Sequence, residues 1–278
     1  MARIAIIGLV GKSMFFDVPR FHAGGETITA RGYYEEWGGK GFNQAVAAAR
    51  QDASVAFLGA CSADDKRAID DFCRKEGIAP RTCAKRRPTA CAAILTDGTG
   101  ETRVTVYPGA ELEAKDVDGF AGSIATADFL LLSNEVPEAV NLAAVEIAKK
   151  YDVRIIFNPA PARKLPKAIL AAVSIFTPNE FEEEELLRHS SSITCTSSFE
   201  VLTTLGADGC RIRSTGEVIP APEAKPVDST GAGDTFNAVL AVRLAEEASL
   251  HDACVAANAA AAQSVAVKYV LPSLPFRN

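Results

Sequence analysis

Short apolar runs recur along the chain, at residues 3–9, 54–59, 129–132, 153–157, 173–176 and 201–205. They are rich in Val, Ile, Leu and Phe and are bounded by Gly, Pro or Asp, the pattern of buried strands. Helical spacing appears between them. Residues 41–50 carry an Ala/Val face. Residues 139–150 repeat apolar side chains at helical intervals and end in Lys149 and Lys150, which suits the negative end of a helix dipole. Strand–helix alternation predicts an α/β fold: a mostly parallel central sheet flanked by helices on both faces.

Two regions break this rhythm. Residues 15–37 have no helical period and contain the turn Ala23-Gly24-Gly25. Residues 89–107 alternate apolar and polar positions about Asp97-Gly98-Thr99-Gly100, a hairpin pattern. Together they predict a small β-sheet lid, with segments near 12–37 and 89–110 inserted in a single domain. The other reading makes them edge strands of the main sheet. Residues 190–198, rich in Ser and Thr, read as a surface loop. The acidic run 182–185 reads as a solvated helix face, with Glu182 set apart below.

Composition narrows the function classes. At 278 residues and 48% hydrophobic, the chain can bury one substantial core. Net charge is -6, and no basic run points to nucleic acid or an anionic membrane. The apolar start is too short for a signal peptide, and the Ala-rich stretch 253–267 is too short and interrupted to span a bilayer. Seven cysteines without paired C-x-x-C spacing suggest free thiols in a reducing, cytoplasmic setting, with Cys61, Cys91 and Cys210 read as small core residues. His22, His189 and His251 show no metal spacing.

The most informative segment is Val227-Asp228-Ser229-Thr230-Gly231-Ala232-Gly233-Asp234-Thr235-Phe236-Asn237-Ala238. A turn with two glycines opens onto a helix, so free N–H groups at 231–234 can point at an anion, aided by the helix dipole. Phosphoryl transfer needs such donors, because charge spreads over the equatorial oxygens. Asp234, on the first helical turn, can accept a proton from an attacking alcohol. The plainer alternative makes Asp228 and Asp234 helix caps beside a glycine turn.

This segment is similar to the second signature of the ribokinase-like (phosphofructokinase B type) carbohydrate kinases. The run from Gly38-Gly39-Lys40-Gly41-Phe42-Asn43 to Arg50 resembles the family's first signature. Asn158-Pro159-Ala160-Pro161-Ala162-Arg163, Thr177-Pro178-Asn179-Glu180 and Thr204-Leu205-Gly206-Ala207-Asp208-Gly209 match further stretches in order. The resemblance covers nearly the whole chain.

It implies a ribokinase-like fold and transfer of the ATP γ-phosphoryl to a hydroxymethyl group of a sugar or sugar-like compound. It makes Asp234 the catalytic base and Gly231, Ala232 and Gly233 the anion hole. Gly38, Gly39, Lys40, Asn43 and Glu135 fall at sugar-binding positions. Asn179, Thr204, Gly206, Gly209, Gly233 and Asn258 fall on the nucleotide side, though Asn258 also reads as a polar spot on an Ala-rich helix. Glu182 would act on Mg²⁺ through water. Asp228, Thr230, Ser264, Val267 and Ser273 match a monovalent cation (K⁺) site, with Tyr269 where the family carries Gly. A homodimer through the lid is also implied.

The chain departs from the family where the first strand should lead into an Asn and an Asp that grip a sugar diol. It reads Gly8-Leu9-Val10-Gly11-Lys12-Ser13, with Gly11 and Ser13 at those positions. Lys12 and Arg103 add positive charge near the expected mouth, which suits an anionic sugar unless both face solvent. The segment 185–199 is shorter than in the family. Two alternatives are carried forward: a nucleoside or phosphosugar kinase of the same fold, and a non-catalytic ligand-binding relative.

Overall fold

The computed structural model describes residues 1–188 and 199–277. The expected loop at 190–198 lies outside the described residues, as does most of the shortened 185–199 segment. Among the described residues the strands are β1 (Arg3–Ile7), β2 (Gly11–Asp17), β3 (Gly32–Gly38), β4 (Ser54–Ser62), β5 (Ile78–Lys85), β6 (Ala90–Thr96), β7 (Thr102–Tyr107), β8 (Phe129–Ser133), β9 (Arg154–Asn158), β10 (Ile175–Phe176), β11 (Glu200–Thr204), β12 (Cys210–Ile212) and β13 (Val218–Ile219). They form a nine-stranded sheet, ordered β13-β12-β11-β10-β9-β8-β1-β4-β5, and a separate four-stranded sheet, ordered β3-β2-β6-β7. The large sheet is parallel from β11 to β5, and β12 and β13 add an antiparallel edge.

The unbroken apolar runs follow from burial on both faces. Successive residues belong to opposite cores. Ile4, Ile6, Phe129 and Leu131 pack with the helices Lys40–Arg50, Ala232–Ala245 and Leu250–Ser264. Ala5, Ile7, Leu130 and Leu132 pack with Glu138–Lys150 and Lys167–Ala172. Phe42 anchors the Lys40–Arg50 helix between Phe57 and Phe72, so truncating it to Ala would cost about 3–5 kcal/mol.

The second sheet is the expected lid, not an edge of the main sheet. Strand pairing puts Gly11, Ser13, Phe15 and Asp17 on one face with Gly38, Glu36, Tyr34 and Gly32, with Ala90, Ala92, Ile94 and Thr96, and with Val106, Val104 and Thr102. That face looks toward the main sheet's loops. Lys12, Trp37 and Arg103 lie on the other. β5 and the helix Ala63–Lys75 had no expectation in the sequence. Their charged positions hide the pattern, because β5 is an edge strand and the helix is mostly exposed.

Candidate active site

The helix Ala232–Ala245 begins at Gly231, which has φ 82; a Cβ there would stand 2.6 Å from Val270 Cγ1. Only glycine fits both the conformation and the contact. The Ala232 amide reaches Ser229 O at 3.3 Å, and the Thr235 amide returns to Gly231 O at 2.9 Å. Among the described residues the amides of Gly233 and Asp234 have no acceptor, and they sit where the helix dipole is positive. A Cβ on Gly233 would meet nothing within 4 Å, so this turn faces open space.

A second helix start meets it. Gly39 has φ 104, and a Cβ there would lie 2.6 Å from Leu9 O; this close turn launches the helix Lys40–Arg50 against β1. Asn43 Nδ2 donates to Asp234 Oδ2 at 2.8 Å, and Gln44 Nε2 donates to Asp234 Oδ1 at 3.2 Å. Gln44 had no expected role. Its signal is a polar side chain on a buried apolar helix face. Asn43 Oδ1 is buried and has no hydrogen-bond partner among the described residues.

Glu135 follows β8, and its carboxylate accepts the Lys40 amide at 2.7 Å. Its loop is fixed on both sides. Asn134 Nδ2 donates to the carbonyls of Pro159 and Pro161 at 3.0 Å, and Arg163 donates to Val136 O at 2.8 Å. The Asn158–Arg163 stretch therefore acts by holding Glu135 in place. Burial pushes the Glu135 carboxyl up to about 7, against the opposing pull of Lys40. Burial likewise raises Asp234, countered by Lys40, Asn43 and Gln44. Burial alone would lower Lys40; the charges of Asp234, Glu135 and Glu182 raise it. The lysine thus stays cationic among three carboxylates.

Gly38, Gly39, Lys40, Asn43, Glu135, Gly231 and Asp234 line one cavity of about 300 Å³, roofed by Gly11, Ser13, Ala92, Val104 and Val106 of the lid. Gly11 and Ser13 do face the site, so the missing diol grip is missing from its wall. Of the two basic residues, Lys12 borders this cavity and Arg103 does not. Lys12 turns to the lid's other face, pairing with Asp65 at 2.9 Å beside the Trp37 ring. Arg103 lies over Phe21 on that face too. An anionic sugar would therefore meet Lys12 at the cavity edge, its ammonium already paired with Asp65, and not Arg103.

On the expected nucleotide side, Asn179 bridges Thr204 across parallel chain ends. The Asn179 amide donates to Glu182 Oε2 at 3.0 Å, and the Glu182 amide donates to Asn179 Oδ1 at 2.8 Å, a reciprocal cap for the helix Glu180–Arg188. Glu183 corrects the expectation of an evenly solvated acidic run. It is buried and paired with Arg211 at 2.7 Å, whereas Glu184 is exposed. Gly206 and Gly209 both take positive φ in the turn after β11. Asn258 is 3% exposed, its nitrogen donating to Ile219 O at 2.8 Å. A Cβ on Gly209 would strike that same carbonyl. Asn258 therefore holds the β12–β13 hairpin and does not face open space.

The loop at 227–230 lies against the segment 264–269. The Val227 and Asp228 amides donate to Val265 O at 2.7 and 3.1 Å. The Asp228 carboxylate accepts the amides of Thr230 at 3.0 Å and Tyr269 at 3.1 Å. The hydroxyls of Ser264 and Ser273 turn back to Ala261 O and Val270 O. Val267 is exposed.

The pfkB family carbohydrate kinase profile matches residues 1–277. The ribokinase of Haemophilus influenzae is 34% identical over 293 aligned positions, covering 99% of this chain and 95% of that protein. The ribokinase structure from Thermotoga maritima superimposes with a TM-score of 0.89 at 31% identity, covering 100% of this chain and 97% of that one. The Arabidopsis thaliana ribokinase complexed with ribose and ATP gives 0.87 at 26% identity, covering 99% and 96%. A match sustained from end to end in sequence and in fold means that this chain belongs to the pfkB family of carbohydrate kinases.

Proposed function

We propose that the chain transfers the γ-phosphoryl group of ATP to a hydroxymethyl oxygen of a sugar or sugar-like compound, with Asp234 as general base. The observation that carries this is the meeting of Asp234, held by Asn43 and Gln44, with the turn at Thr230 and Gly231 on one cavity, beside the unpaired amides of Gly233 and Asp234. Asp234 takes the hydroxyl proton as the oxygen attacks phosphorus, and ADP leaves. The amides of the 231–234 turn stabilise charge on the transferred group. The Asn43 carbonyl oxygen and the backbone of Gly38 and Gly39 hold sugar hydroxyls, and Lys40 and Glu135 fix the pocket floor. Asn179, Thr204, Gly206 and Gly209 border the nucleotide.

For Mg²⁺, Glu182 fits as a half-buried carboxylate with one oxygen not taken by the Asn179 amide, reached through water. Its charge adds to those of Asp234 and Glu135 in raising the Lys40 pKa, which supports a position facing the site. Bound Mg²⁺ would neutralise charge on the phosphate oxygens. For K⁺ the fit is poorer. Both Asp228 oxygens accept backbone amides, the Ser264 carbonyl accepts the Val267 amide at 3.2 Å, and Tyr269 replaces the small residue of the family pattern. The exposed edge strand β7, with Val104, Val106 and Tyr107, suits pairing with a second lid in a homodimer.

The test is ADP release with Mg-ATP across a panel of pentoses, hexoses, polyols, sugar phosphates and nucleosides. A free sugar is expected to turn over best. Ribose is expected to lag by on the order of 10²-fold in specificity, because Gly11 and Ser13 cannot bind a diol as paired side chains do. Ser13→Asp should narrow that gap. Ribose turning over at 10⁴ M⁻¹s⁻¹ or better, about the usual floor for enzymes, would remove the substrate claim. A panel without any turnover would favour a ligand-binding relative.

A further inference from the structure

The lid is fastened to the anion turn through three consecutive residues. Glu36 sits on the inner lid face opposite Ser13 and is 8% exposed. Its Oε1 accepts the Val270 amide at 2.8 Å and its Oε2 accepts the Leu271 amide at 3.0 Å. The Val270 side chain in turn lies against Gly231, 2.6 Å from where a Cβ would be. Just before it, the Tyr269 amide holds Asp228, while its ring stacks on Tyr34 at 4.0 Å and meets Phe15 edge-on at 5.1 Å. Lid residues thus grip one side of the 269–271 segment, and the loop that forms the anion turn lies on the other.

A buried carboxylate is an expensive fastener for a lid strand. Desolvation opposes its charge, and an apolar side chain would fill the space at less cost. What it supplies is direction, since two hydrogen bonds fix both amides and hence the seat of Val270.

We propose that Glu36 is a positioning residue for phosphoryl transfer: by binding the Val270 and Leu271 amides it seats Val270 on Gly231 and sets the turn whose free amides face the transferred group. This rests on the reading of 231–234 as the anion turn. It gives lid placement a direct influence on the transition state.

The experiment is steady-state kinetics of Glu36→Gln, Val270→Ala and the double variant, using the panel compound of highest turnover, with thermal unfolding in parallel and Asp234→Asn as reference. Gln keeps only one carbonyl acceptor, and Val270→Ala breaks the same link without touching the carboxylate. Each single change is expected to lower kcat about tenfold or more with sugar KM little changed, since small misplacements of reacting groups are costly. The double variant is expected to fall no further than the worse single one, the mark of one shared link. Unaltered kcat per folded molecule, or losses that multiply, would overturn the proposal in favour of a purely structural anchor. An Asp234→Asn enzyme running at the unmodified rate overturns the reading of the turn itself. An impaired Asp234→Asn beside an unaltered Glu36→Gln overturns only the role of Glu36.

Discussion

Asn43 and Asp234, 191 positions apart in sequence, meet at 2.8 Å where two helices begin. Each helix start follows a glycine with positive φ, Gly39 on one side and Gly231 on the other. Glycine lets both backbones approach the pocket closely, and the amide of one helix then holds the carboxylate of the other. Gln44 completes the grip at 3.2 Å. A carboxylate held at both oxygens would enter the proposed reaction as a base already oriented.

Asp234→Asn should lower turnover about 10²–10⁴-fold, the range for a positioned base. Folding should be preserved, because the neutral amide escapes the burial that raises the Asp234 pKa. Initial-rate kinetics with nucleotide-binding calorimetry check this. Normal turnover would remove Asp234 from the mechanism.

The two glycines of the anion turn should respond differently to alanine. Gly231→Ala forces a side chain into a left-handed conformation and against Val270, and should cost about 1–3 kcal/mol or more in urea unfolding. Gly233→Ala adds a methyl pointing into open space. Stability should hold or rise slightly, while kcat falls by about 10²-fold because the methyl occupies the space where the transferred phosphate would approach the amides. Equal loss of stability in both variants would contradict the distinction.

Within the acidic run three outcomes are expected. Glu182→Gln keeps the helix cap, since Gln also serves there, yet removes charge. It should raise the Mg²⁺ concentration for half-maximal rate and leave sugar affinity unchanged. Glu183→Gln breaks the pair with Arg211 and should lower the melting temperature with little effect on Mg²⁺ dependence. Glu184→Gln should do almost nothing. If all three shift the Mg²⁺ dependence alike, diffuse acidity is the cause.

Glu135 makes stability depend on pH in a defined direction. Burial raises its carboxyl to about 7 in the folded protein, against about 4.3 in an unfolded chain. Between those values the folded state holds more protons, so this stabilising contribution is full below the lower value and is lost as pH rises through the upper one. Glu135→Gln does not titrate and still accepts the Lys40 amide. Its melting temperature relative to the parent should therefore climb from about pH 4 to about pH 8. A constant difference across that range would show that Glu135 is ionised throughout.

The sequence by itself determined which segments form buried strands and which glycine turn carries the phosphate chemistry expected of it. Apolar runs at β1, β4, β8, β9 and β11 were legible because a parallel sheet buried on both faces needs unbroken hydrophobic segments. The glycine turn at 231–233 was legible because it opens onto a helix, and that at 38–39 through its resemblance to a family signature; close backbone approach admits little but glycine at both. The lid was legible through period-two alternation at 89–107 and through the missing helical period at 15–37. Local pattern could not reveal groups whose role depends on a distant partner. Gln44 and Glu36 carried no expectation in the sequence; their roles appear only when Asp234 lies beside the one and the Val270 and Leu271 amides meet the other. Lys12 and Arg103 looked like mouth charges, but strand register put both on the lid's other face, and of the two only Lys12 borders the cavity. Glu183 looked solvated until Arg211 closed over it. Residue identity and spacing carry the chemistry that acts through the local backbone; burial, register and long-range pairing arise only when separate segments pack, and they decided which of the polar side chains face the pocket.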